Sequence, residues 1–206
     1  MRQIYFLAVS CVTLLMACGP SDSETQKDEA TLDGVEEVVV ETEPDEDIHS
    51  VFLENLRNLC GHSYMGKALY PLNEPDHPFA DQPIIVSFSV CEEDTIHMPL
   101  QVGEDMSRTW MLTLTDEGLL LKHDHRHKDG TPEELTMYGG YATDEGTEWS
   151  QFFPADEETA DMLPEATTNV WNMVINEEDE TFEYILHRHG ELRFHAAIDI
   201  SKPATL

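Results

Sequence analysis

The residues best equipped for chemistry lie in one short segment. His123, His125 and His127 recur at alternate positions in Leu119-Leu-Leu-Lys-His-Asp-His-Arg-His-Lys-Asp-Gly130. On a strand, this spacing puts all three on the face shared by Leu119 and Leu121, with Leu120, Lys122, Asp124 and Arg126 on the other. The leucines mark the inward face, so the histidines should follow them inward or out over a rim. Neutral imidazole binds zinc and similar divalent transition metals at about 2.0 to 2.1 Å. Histidines one residue apart on a strand have Cα atoms about 6.6 Å apart and can lean onto one ion, whereas the outer pair, about 13 Å apart, cannot. A site would thus join two of the three to an outside ligand, for which His187, His189, His195, Asp94 and Glu191 are candidates. With a nearby carboxylate base and an open coordination position, such a zinc-type centre would serve a metal-dependent hydrolase. The competing reading is a polar hairpin end, its histidines hydrogen-bonded to Asp124, Asp129 or backbone.

Other chemistry is harder to find. The sequence has no G-x-S-x-G, no P-loop, no G-x-G-x-x-G and no H-E-x-x-H. Paired carboxylates carry no information where Asp and Glu number 42. Against 11 Lys plus Arg they leave a net charge of -31, which repels nucleic acid and excludes it as a partner. On so acidic a background Arg108, Arg126, Arg188 and Arg193 are expected to pair with carboxylates. The aromatics Tyr138, Tyr141, Trp149, Phe152, Phe153 and Trp171 are expected in the core rather than on a ligand platform.

The elements that must position these residues are mostly strands. Val51, Phe52, Leu53, Leu56 and Leu59 are spaced as one helical face, predicting a helix from 49 to 60 with Gly61 as its stop. Alternating runs then predict strands over Ile84–Val90, Thr109–Thr115, Leu119–His125, Thr168–Ile175, Thr181–His187 and Leu192–Ile200. Weaker ones are expected over Ser63–Tyr70, Thr95–Leu100, Leu135–Tyr141 and Glu148–Phe153, with a short helix in Pro154–Leu163. Turns such as Asp116-Glu-Gly118, Lys128-Asp-Gly130 and Gly190-Glu191 make neighbours antiparallel. The expected fold is therefore mainly β: one antiparallel meander barrel of 8–10 strands with a short N-terminal helix. This layout resembles the lipocalin-like proteins; a β-sandwich is the alternative. An apolar barrel with a late-strand histidine also resembles the nitrobindin type of haem barrel, which would make His195 or His187 the proximal ligand. Cys60 and Cys91 form an even pair and are expected to be disulfide-bonded.

The N-terminus supplies an address. Ile4 to Met16 is an uncharged apolar run of thirteen residues behind Arg2, too short to span a bilayer as a helix and suited to a signal peptide. It ends in Leu15-Met16-Ala17-Cys18-Gly19, which resembles the lipobox of bacterial lipoproteins. That resemblance implies a signal peptide over 1–17, acylation of Cys18 and, with Gly19 rather than Asp following, an outer-membrane anchor. Residues 21 to 48 hold twelve acids and one base, so 18–48 is expected to be a disordered acidic tether carrying the 49–206 domain. Val102 to Trp110, Leu119 to Gly130, Tyr138-Gly-Gly140, Thr168-Asn-Val-Trp171 and His187 to Phe194 together resemble a group of bacterial secreted proteins and lipoproteins with no assigned activity. The expectation is an anchored periplasmic barrel that binds a small ligand or metal ion. The alternatives are a metal-dependent hydrolase and a structural or partner-binding envelope lipoprotein.

Overall fold

The computed structural model describes residues 47–70, 79 and 81–205. The signal peptide, Cys18 and all of the tether before Asp47 lie outside them. The described chain begins with helix α1 (Ile48–Arg57), capped by the Asp47 carboxylate on the His49 amide. Eleven strands follow: β1 (Ser63–Tyr70), β2 (Ile84–Ser87), β3 (Val90–Glu92), β4 (Thr95–Val102), β5 (Asp105–Thr115), β6 (Gly118–His125), β7 (Tyr138–Tyr141), β8 (Ser150–Pro154), β9 (Asn169–Asn176), β10 (Thr181–Arg188) and β11 (Glu191–Asp199). Helix α2 (Glu157–Met162) and a 3-10 turn (Pro164–Ala166) bridge β8 to β9.

All strand pairings are antiparallel, in the order β7-β6-β5-β4-β2-β1-β11-β10-β9-β8. The sheet is a nearly closed barrel, the mainly β fold expected. The run Ile84–Val90 is not one strand: Phe88 bonds to the β1 side and Ser89 to His97, so the register slips by one residue and β2 and β3 become two pieces along β4. First and last strands pair with each other, so the seam falls in mid-chain, between β7 and β8.

Glycine makes that seam possible. A Cβ on Gly140 would sit 1.9 Å from the Pro154 carbonyl oxygen, and one on Gly139 would sit 1.9 Å from that of Leu121. The seam is pinned by Thr143 N–H to Phe152 O and Asp156 N–H to Gly139 O, both 2.9 Å. Buried Thr159 of α2 accepts from Gly139 N–H at 2.7 Å and donates to its carbonyl at 2.9 Å, so the helix clamps β7.

Inward residues fill the barrel in layers. Ile96, Met98, Leu112, Leu119, Leu121, Phe153, Met173, Phe182 and Ile198 are fully buried. One end is shut by α1, whose Phe52, Leu53 and Leu56 complete the core. Arg57 donates to the Glu92 and Glu93 carbonyls and Asn55 to that of Glu148, fixing the helix across this end. The Cys60–Cys91 disulfide, with Cα atoms 6.3 Å apart, lies there too. The other end stays open, beneath the 126–137 loop and the 155–168 segment.

Candidate functional site

The alternation of β6 carries Leu119 and Leu121 into the core and then His123 and His125 toward the open end. There a pocket of about 410 Å³ opens, lined by residues that include Trp110, Tyr138, Trp171 and Tyr184 beside the two histidines. This is the size of pocket that takes metabolite-sized ligands. The rings form a continuous cage. Trp110 stacks on Tyr184 with centroids 4.3 Å apart, and His123 stacks on Tyr138 at 4.7 Å while tilting against Trp171 at 4.9 Å.

His123 is 3% exposed and bonded at both nitrogens. Its Nδ1 lies 3.0 Å from the Tyr138 carbonyl oxygen. A carbonyl only accepts, so Nδ1 carries the proton and Nε2 accepts from the Tyr184 hydroxyl at 2.7 Å. Burial drives the His123 pKa down to about 3, so this imidazole is neutral at physiological pH. His125 is also lowered, first by burial and then by Arg108. Its Nε2 is 3.0 Å from the Tyr138 hydroxyl, and its Nδ1 is 4.0 Å from Glu133 Oε2. Burial raises Tyr138 to about 12 and Tyr184 well above the ordinary phenol range. The interior is thus aromatic, polar at a few fixed points and uncharged. Charge is confined to the mouth, where Arg108, Glu133, Glu165 and Arg188 also line the pocket. A general base is most effective with a pKa near the ambient pH, and His123 lies far from it.

The remaining histidines do not converge here. β6 ends at His125; Arg126 bridges to Pro132 and the His127 amide bonds to the Thr131 carbonyl. The chain therefore turns away, leaving His127 exposed. His195 lies on the outer face of β11, where its Nε2 meets Glu183 at 2.8 Å. His187 falls between the pocket-lining Leu186 and Arg188 and so faces outward. The haem-type arrangement is overturned by this alternation, which keeps both late-strand histidines out of the interior. His189 sits on the β10–β11 turn against Thr168, at 3.0 Å. Asp94 lies at the opposite, closed end, and Glu191 pairs with Arg193. Among the described residues, no group of three or more His, Cys, Asp or Glu side chains is placed to hold a metal ion.

Two expectations about neighbours need correcting. Arg108, Arg126 and Arg193 pair with Asp105, Asp124 and Glu191, but Arg188 instead donates from Nε to Asn169 Oδ1 at 2.7 Å. Of the aromatics, Phe153 and Trp171 join the core as expected and Tyr138 and Trp149 pack against it, but Phe152 points outward from β8 and is exposed; Tyr138 and Trp171 also wall the pocket. Tyr184 and Trp110 were not singled out by sequence, because their only signal is a position near the open end, visible once the register is known. No protein-family model, no curated protein and no solved structure matches the chain.

Proposed function

We propose that this chain is a lipid-anchored envelope protein whose barrel binds a small, largely apolar and preferably aromatic organic molecule, without catalysis. The aromatic cage at the open end carries the reading: an apolar pocket with a few fixed polar groups is the usual form of a small-molecule site. A metal ion is disfavoured as the ligand, because both nitrogens of His123 are already bonded and His127 lies outside the pocket. Acylation of Cys18 at the outer membrane, facing the periplasm, belongs to this reading and rests on the lipobox-like segment.

The test uses the processed chain carrying Cys18→Ser, so that no acyl chain competes for the pocket, and the neutral fluorophore N-phenyl-1-naphthylamine. Saturable one-to-one enhancement is expected, weakened about tenfold or more by Leu186→Trp, which fills the pocket. Enhancement that never saturates, or that Leu186→Trp leaves unchanged, would refute the pocket as a binding site.

A further inference from the structure

The described domain has few cations, and almost every arginine in it is neutralised by an acid. Arg57, Arg108, Arg126 and Arg193 each have a carboxylate within 4.0 Å. Arg188 is the one arginine among the described residues without such a partner, in a chain with net charge -31. What holds it is Asn169, itself only 4% exposed, through the bond to Nε. Its Nη1 and Nη2 make no hydrogen bond and no ion pair among the described residues. The guanidinium is therefore oriented by a buried amide at one edge while its two-nitrogen fork is left open. A fork of that kind matches a carboxylate in two parallel hydrogen bonds.

Its location gives the fork a purpose. Arg188 lines the aromatic pocket and also the adjoining outer cleft formed with Thr168, His189 and Arg193, so it stands where an occupant of the pocket would reach solvent. Deeper in, the polar groups are neutral His123, Tyr138 and Tyr184. Arg108 is balanced by Asp105, and Glu133 and Glu165 add negative charge to the lining. One uncompensated positive charge beside two acids suits a single negative charge and penalises a second.

We propose that Arg188 receives the carboxylate of an aromatic monocarboxylic acid whose ring system lies within the Trp110, Trp171 and Tyr184 cage. This rests on the pocket reading above and narrows it to a ligand class.

Titration calorimetry near pH 7, where a carboxylic acid is ionised, would compare naphthalene-2-carboxylate, the neutral isostere naphthalene-2-carboxamide, and 2-naphthyl phosphate. The protein is the processed Cys18→Ser chain. The carboxylate is expected to bind about tenfold or more tighter than the carboxamide, as one charge-assisted contact implies. Arg188→Gln should abolish that preference by lowering carboxylate affinity far more than carboxamide affinity, and Arg188→Lys, which keeps charge but not the fork, should retain part of it. Equal binding of carboxylate and carboxamide, or a preference that survives Arg188→Gln, would assign Arg188 to holding Asn169 and overturn the inference, with the pocket reading standing. Tightest binding of the phosphate would overturn the single-charge argument. Failure of all three ligands while the neutral fluorophore still binds would overturn the ligand class alone; failure of the fluorophore as well would remove the pocket reading beneath it.

Discussion

His123 offers a quantitative check on the interior. It is buried among aromatic rings, neutral, and held near pKa 3 in the folded chain against an ordinary value of 6.5. Above pH 6.5 the imidazole is neutral in both folded and unfolded states and contributes no pH dependence. Below that, the unfolded chain takes up a proton which the folded site accepts only near pH 3. Acid therefore favours unfolding, and stability falls as pH drops from about 6.5 toward 3. Each pH unit well inside that window costs about 1.4 kcal/mol, so this one group should remove about 2 kcal/mol between about pH 8 and pH 5. Carboxylates and other histidines titrate over the same range, so the effect is isolated by difference. His123→Phe keeps a ring in the cage but cannot titrate. The variant should be less stable near neutral pH, because the Tyr138 carbonyl and Tyr184 hydroxyl lose their partner. Its deficit should shrink by about 2 kcal/mol on going from about pH 8 to pH 5. Urea unfolding followed by tryptophan fluorescence measures both curves. Parallel curves would mean that His123 is not a buried neutral imidazole, and the tautomer and the uncharged interior derived from it would be wrong.

Three further outcomes follow from other parts of the molecule. Replacing both Cys60 and Cys91 by serine should cost about 3 to 4 kcal/mol in the chain-entropy view, the sequence separation being 31 residues; a thermal midpoint identical to that of the oxidised protein would contradict this. Gly140→Ala should destabilise by about 2 to 4 kcal/mol by pushing β8 off β7, and an unchanged urea midpoint would show that the seam is looser than described. Cys18→Ser should move the chain from the membrane to the soluble fraction of its host, whereas continued membrane partitioning would rule out the lipid anchor.

Much of the fold is readable from alternation alone. β1 matches the expected Ser63–Tyr70 run, and β6, β9, β10 and β11 lie within a residue or so of their apolar–polar patterns. Period-2 patterning survives in this sheet because one face is packed and the other wet. The same pattern placed His123 and His125 on the inward face, as found, but nothing in it marked where β6 would stop and release His127. The bulge between β2 and β3 was also invisible, since it arises from a pairing with β1 more than twenty residues away. The pocket's other walls were less legible still. Tyr184 meets His123 across 61 residues of sequence, and only the ring order of strands brings β6 and β10 to face each other. Arg188 looked like any arginine on an acidic chain until its neighbour proved to be a buried amide.

The two ends of the barrel differ in a way that bears on the proposed anchor. The described chain starts at Asp47, and α1 then crosses the end that holds the disulfide, the Arg57 contacts and the Gly118 turn beside His49. The pocket lies at the other end, under the loops that carry Glu133, Leu135, Leu163 and Glu165. A lipid-bearing segment that precedes Asp47 would thus join the domain at its closed end. A barrel attached by its mouth would have to load and release its ligand against the bilayer surface. Attachment at the closed end leaves the mouth directed away from the point of attachment. The disulfide and the helix contacts thus gather at one end, while Arg188 and the aromatic walls gather at the other.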